Sequence, residues 1–260
     1  FFFFVSSMLS SLSFLRSPAS SALVNVTKRT KYIHEWFRLM ENNKEWAAET
    51  IKEDPEYFTK LNKDQFPPFL YVGCADSRLP LTNFTKTGPG EFFVHRNIAN
   101  QISMTDINFL ASLEFSVNVL KVRHIIVAGH YNCGGIKAAV NGVDSGIIGN
   151  WVQPIRRLYL KNRETLGKLP EHECYNQLAE MNVVQQVKNL ISTKVMMETY
   201  FAEPKRLVPT VHGIIIDLSD GLMKEIPMPW DYWKSCNILP PEFNNNGYIV
   251  EDPKHSSRIT

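Results

Sequence analysis

Tyr71-Val72-Gly73-Cys74-Ala75-Asp76-Ser77-Arg78 and, further along, Ala128-Gly129-His130-Tyr131-Asn132-Cys133-Gly134-Gly135 are the stretches on which the fold turns. Each follows a short apolar run, Phe69 to Val72 and Ile125 to Ala128, of the kind that forms a strand buried in a parallel sheet. In an open α/β sheet, residues just past the carboxyl ends of the strands line the site. Cys74, His130 and Cys133 are therefore expected to converge at one strand-end crevice. Two thiolates and one imidazole make the Cys₂His set with which catalytic zinc leaves its fourth position to water. A lone His-x-x-Cys would say little, because free cysteine is usually a small buried hydrophobe. The pairing of Cys-x-Asp-x-Arg with His-x-x-Cys-Gly-Gly, each behind a strand-like run, says much more.

Outward from these stretches, strands and helices alternate, which predicts a mostly parallel sheet flanked by helices. Gly88-Pro89-Gly90 turns into a strand over Glu91 to His95, and His124 to Gly129 and Thr210 to Asp217 read as two more. Thr105-Asp106 caps a helix to about Lys121, Gly134-Gly135 opens another through Val140, and Tyr175 to Tyr200 reads as one long helix. Ahead of the first strand, Ile33, Trp36, Phe37 and Met40 recur at helical spacing, and Asp54-Pro55 is expected to cap the next short helix. His172-Glu173-Cys174, read as a loop after Pro170, is taken as a chance cluster. His34, His124, His212, His255 and Cys236 have no ligand spacing.

The 260 residues carry a net charge of +2, with 44% hydrophobic and 21% charged residues, so nothing points to a nucleic-acid or membrane surface. Four widely spaced cysteines suit metal binding better than a secreted disulfide framework. The first acidic residue is Glu35, after Arg16, Lys28, Arg29, Lys31 and a serine-rich run. Residues 1–30 are accordingly expected to be a presequence directing the chain to the mitochondrial matrix, with a secretory signal or a cytoplasmic protein as alternatives. Residues 31–240 are expected to form one domain with an N-terminal helical arm, and 241–260 an irregular, exposed tail.

The two stretches, joined by Pro89-Gly90-Glu91 and Val94-His95-Arg96-Asn97-Ile98-Ala99-Asn100, resemble the β-class carbonic anhydrases of enteric bacteria, fungi and protists. The resemblance runs from Gln65 to Gly221. It implies a β-carbonic-anhydrase-like α/β domain and a zinc lyase (carbonate dehydratase) that interconverts CO₂ and bicarbonate. It also implies one Zn²⁺ per subunit on Cys74, His130 and Cys133, and a homodimer or higher homo-oligomer. A Cys₂His zinc has no net charge before its fourth ligand arrives and is a weaker Lewis acid than a three-histidine zinc, so it needs help. Asp76, two residues past Cys74, can orient a zinc-held hydroxide for attack on CO₂. Arg78 can clamp that carboxylate or, on releasing it, let it close onto the metal. Gln65 matches a glutamine that donates to bicarbonate from a neighbouring subunit. Phe93, Ile98 and Phe115 fall where the family lines its apolar CO₂ pocket, although many members have Tyr in place of Phe115. Gly134 and Gly135 let substrate approach a helix N-terminus. Bacterial relatives with an inhibitory bicarbonate site build it from Trp, Arg and Tyr; Tyr71, Arg96 and Ile216 stand there, and weak or absent inhibition is expected. The rival readings are a purely structural zinc module closed by Asp76 and a thiol redox protein, the latter without a Cys-x-x-Cys pair.

Overall fold

The computed structural model describes residues 18–142, 146–201, 208–241 and 243–245, with side chains from residue 34 onward. The chain divides into two compact units, Phe1–Lys63 and Asp64–Thr260. In the first, helix α1 spans Pro18–Glu53 and α2 spans Tyr57–Leu61. Trp46 closes one against the other, its ring edge-on to Phe58 at 5.5 Å and to Tyr57 at 6.5 Å. The apolar stripe read over Ile33 to Met40 lies within α1, and Trp36 and Phe37 are each 60% exposed. Asp54 does not cap α2 as expected. Its carboxylate accepts from the Glu56 N–H at 3.0 Å, two residues ahead of the cap position that Glu56 itself takes, and the helix starts at Tyr57. Of the expected presequence, residues 1–17 lie outside the described residues, and Pro18 onward belongs to α1.

The second unit is built on strands β1 (Phe69–Cys74), β2 (Phe92–Asn97), β3 (His124–His130), β4 (Thr210–Ile216) and β5 (Met223–Glu225). Their order is β2-β1-β3-β4-β5, all parallel except the β4–β5 hairpin. The sequence reading thus holds for the mostly parallel sheet and for its four long strands. Helices follow in chain order: α3 (Leu81–Thr85), α4 (Ile107–Glu114), α5 (Gly134–Asn141), α6 (Gly146–Lys161), α7 (Arg163–Leu166), α8 (Glu171–Ile191), α9 (Lys194–Tyr200) and α10 (Trp230–Ser235). Asp106 caps α4 as expected, accepting from the N–H groups of Asn108 and Phe109. The helix then widens into a π-helical turn over Phe115–Val119, where Leu120 N–H reaches the Phe115 carbonyl at 2.9 Å.

Three further expectations need correction. The helix read over Tyr175 to Tyr200 is two helices, because Thr193 turns its hydroxyl onto the Met196 N–H and starts α9 afresh. His172-Glu173-Cys174 is the first turn of α8, not a loop; His172 and Glu173 are exposed while Cys174 is buried. The tail begins docked rather than exposed: Phe243 is buried against Tyr200 and Trp230, and the Asn245 amide bonds both backbone groups of Val211. The rest of the tail, from 246, lies outside the described residues.

Helix α8 is what brings polar groups close to the strand ends. It packs on β3 and β4 where both strands carry glycine. A Cβ at Gly129 would stand 2.6 Å from Val183 Cγ2, and one at Gly213 2.9 Å from Val183 Cγ1. Bare backbone at those two positions lets the helix settle onto the sheet directly below His130.

Candidate metal centre

Cys74 ends β1, His130 ends the neighbouring β3, and Cys133 is the residue from which α5 starts. Parallel pairing sets Gly73 level with Ala128, so the two strand ends lie side by side. All three side chains are buried, and their ligand atoms lie within 4.8 Å of one another. Among the described residues they form the one such group. The donor set fits zinc. Two Zn–S bonds of about 2.3 Å at a tetrahedral angle would hold their sulfurs about 3.8 Å apart, and Cys74 Sγ lies 4.0 Å from Cys133 Sγ. His130 Nδ1 meets the Tyr131 carbonyl at 2.8 Å, leaving Nε2 facing the sulfurs. That buried Nε2 has no hydrogen-bond partner among the described residues. A buried polar atom left unpaired is costly, and a metal is the partner its chemistry asks for.

The two thiols shift in opposite directions. Cys74 is drawn down, first by its hydrogen bond with Cys133 and then by His130 and the Ala99 N–H. Cys133 is driven up by the same bond and by burial, against the pull of the Ile136 and Gly135 N–H groups. One physical fact underlies both: a buried pair readily holds a single negative charge, and the second proton leaves only if a cation arrives.

Asp76 and Arg78 stand beside this cluster. Arg78 grips the carboxylate with Nε on Oδ1 at 2.9 Å and Nη2 on Oδ2 at 2.7 Å, and its own N–H adds a third bond at 2.9 Å. The Arg78 hydrogen bonds hold the Asp76 carboxyl well below the usual carboxylate range, so it is ionised. Oδ2 lies 3.9 Å from His130 Nε2, outside hydrogen-bond reach. Arg78 Nη2 also reaches the Asn132 carbonyl at 3.2 Å, tying the dyad to the loop between the ligands.

The other expected residues fall into two groups and one outlier. Gly134 and Gly135 open α5, and a Cβ on Gly135 would lie 2.9 Å from both Ile98 Cγ2 and Ala99 Cβ, so Ile98 borders the cluster. Phe93 and Phe115 pair with each other at 5.8 Å, both partly exposed. Gln65 is exposed in the extended segment before β1, and no hydrogen bond among the described residues ties it to the cluster.

Sequence reading missed a supporting layer. Ala99, at φ +61, aims its N–H at Cys74 Sγ across 3.4 Å. The loop that holds it is laced to α8: Asn182 donates to the Ala99 carbonyl, Gln186 accepts from the Ile102 N–H, and Asn189 donates to the Ile102 carbonyl. Amides at positions 182, 186 and 189 recur at helical spacing on an otherwise apolar face, and that was the signal available.

Sheet order and strand-end cluster together define a class: parallel-sheet proteins with a buried Cys₂His site at the strand termini. Within it, the family model "Carbonic anhydrase" matches residues 69–223. A carbonic anhydrase of Emericella nidulans is 38% identical over 210 residues, covering 80% of this chain and 90% of that protein. Among solved structures, a β-carbonic anhydrase of Aspergillus fumigatus superposes with a TM-score of 0.71 at 34% identity, over 79% of this chain and 99% of that one. One of two tetrameric β-carbonic anhydrases of Sordaria macrospora does so with a TM-score of 0.69 at 35% identity, over 74% and 97%. The chain belongs to the carbonic anhydrase family, in its β class, and is an enzyme of that family.

Proposed function

We propose that this enzyme carries out the reversible hydration of CO₂ to bicarbonate and a proton with one zinc ion on Cys74, His130 and Cys133, aided by the Asp76–Arg78 pair. The observation that carries the reading is the unpartnered His130 Nε2 facing two cysteine sulfurs, with a clamped carboxylate alongside. When bound, the zinc would lower the pKa of a water molecule enough to supply hydroxide near neutral pH. Asp76 would accept the hydrogen bond of that nucleophile and turn an oxygen lone pair towards CO₂. Arg78 keeps the carboxylate ionised and fixed in direction. Phe93, Ile98 and Phe115 offer CO₂ an apolar wall. The N-terminus of α5 at Gly134 and Gly135 favours the anionic product. With hydroxide supplied in this way, CO₂ and water would be converted to bicarbonate and a proton, the proton passing to solvent. Zinc content measured beside stopped-flow CO₂ hydration tests the whole reading. A metal-free chain that hydrates CO₂, or a zinc-loaded chain that does not, overturns it.

The working enzyme is a homodimer or larger, with Gln65 donating to bicarbonate in a neighbouring subunit's site. Support comes from edge strand β2, on which Val94 is exposed, as is Ile98 just past its end, and from the tetrameric Sordaria relatives. Sedimentation of an active monomer would contradict it. Residues 1–30 act as a mitochondrial presequence, a reading supported by their lack of acidic residues. A reporter carrying them should enter mitochondria; cytosolic or secreted reporter refutes the address. Among the described residues, no helix is long and apolar enough to cross a membrane.

A further inference from the structure

The geometry points to Glu180, acting through the Tyr131 hydroxyl, as a positioning residue for the His130 ligand; this rests on the zinc reading above. His130 Nδ1 bonds the carbonyl of Tyr131 at 2.8 Å. A ligating imidazole held in this way by an outer partner is fixed in tautomer and ring plane. Here the partner carbonyl belongs to the Tyr131–Asn132 peptide, just beyond the end of β3, and strand pairing stops one peptide short of it: the Tyr131 N–H, in the preceding peptide, donates to the Ile216 carbonyl at 3.0 Å. At Asn132 the backbone turns left-handed, with φ +57, and the ladder ends. Past that last bond, the peptide that carries the Tyr131 carbonyl can rock about the bonds at the Tyr131 Cα.

A further restraint comes from the Tyr131 side chain. Its hydroxyl donates to Glu180 Oε1 at 2.5 Å, and Lys224 Nζ donates to the same oxygen at 3.0 Å. One carboxylate oxygen on α8 thus gathers the residue after β3 and a residue of β5, and it touches none of the three ligands. As a surface ion pair, Lys224–Glu180 would be worth little, since the lysine is 62% exposed. The Tyr131–Glu180 bond is half-buried, and it steadies the one peptide whose carbonyl sets the ligand's orientation.

The test uses the full zinc-loaded chain and follows zinc transfer to an excess of a chromophoric chelator. Tyr131→Phe and Glu180→Ala should each release zinc about tenfold faster, the scale of a lost outer-sphere partner. Glu180→Gln, which keeps an acceptor oxygen, should recover most of that loss. Tyr175→Phe removes a comparable phenol on the same helix, one bonded to Glu171 and Asn141, and should leave the rate unchanged. In the ¹¹³Cd-loaded protein the cadmium resonance should move in Tyr131→Phe and stay in Tyr175→Phe. Release within about twofold of the unaltered chain in both Tyr131→Phe and Glu180→Ala, far below the outer-sphere scale, would overturn the inference, as would equal acceleration in Tyr175→Phe. A chain that takes up no zinc defeats the zinc reading and this inference with it; one that binds zinc but ignores these substitutions defeats this inference alone.

Discussion

Strand β3 carries a histidine at each end, and the two ends behave differently. At its carboxyl end, His130 points a bare nitrogen at two sulfurs, and all three atoms aim at one spot. At its start, His124 Nδ1 meets His212 Nε2 at 3.2 Å, His212 Nδ1 faces Glu225 at 3.6 Å, and the His124 ring stacks on Phe69. One ring nitrogen donates to the other across the pair, and the Glu225 carboxylate lies beyond the far nitrogen of His212. Each group there spends itself on the next. A cluster of titratable side chains becomes a site when its atoms converge unsatisfied, and a piece of scaffold when they pair off in a chain.

The largest effect should come from breaking the converging end. Cys74→Ser, His130→Ala and Cys133→Ser are each expected to lose zinc and to cut CO₂ hydration about a thousandfold or more, on the order of 4 kcal/mol of barrier. His212→Ala should keep zinc at the unaltered stoichiometry by metal analysis. Zinc retained in full by Cys133→Ser, or lost from His212→Ala, would erase the contrast.

Next in size is Asp76→Asn. The amide keeps the shape but loses the charge that Arg78 holds, so zinc should remain while hydration falls about a hundredfold. Turnover near that of the unaltered chain, measured by stopped flow, would remove Asp76 from the reaction.

The paired end should show itself in the dependence of stability on pH. His124 is depressed from its ordinary value, mainly by burial, then by His212 and Arg123. The unfolded chain therefore binds a proton that the folded one refuses, and stability is lost as pH falls below about 6.5 towards the folded value. His95, likewise lowered by burial, adds to the same slope. His124→Gln should flatten the fall of Tm between pH 7 and 5 (values set about the ordinary imidazole pKa), while zinc content stays constant. An unchanged slope would mean the pair does not titrate with folding.

The smallest effect is an absence. Arg96 is already engaged by its neighbours: Nη1 bonds the Cys74 carbonyl at 3.2 Å, Nη2 the Leu79 carbonyl at 2.8 Å, and the guanidinium lies over the Tyr71 ring. Ile216 is buried and offers an anion nothing. Bicarbonate should therefore inhibit without sigmoidal behaviour. Cooperative inhibition abolished by Arg96→Ala, with zinc intact, would show that a group already engaged in the fold can still be recruited.

What the sequence made legible follows from range. Cys74, Asp76, Arg78, His130 and Cys133 could be placed because each sits a fixed step beyond a strand whose apolar run is unmistakable. Strands β1 to β4 were read for the same reason. Helix α6 went unseen because glycines at its start and Pro154 inside it mask the periodicity, and β5 is three exposed residues without alternation. The break at Thr193 was hidden by apolar residues that stay in phase on both sides of it. Ala99 and the Tyr131 carbonyl were missed because backbone carbonyls and N–H groups leave no mark in residue type, and Glu180 because its partner Tyr131 lies 49 residues away along the chain.

The gap between the loop at Ala99 and the first turn of α5 admits a single methyl group. Ala99 supplies it, and a second on Gly135 would come within 2.9 Å. Ile98, part exposed, can swing its own methyl aside; Ala99, fixed to a left-handed backbone, cannot. The two positions are thus one choice written twice. Across variants of this enzyme, alanine at 135 should be tolerated chiefly where 99 has become glycine, and a library that randomises either position alone will miss that combination.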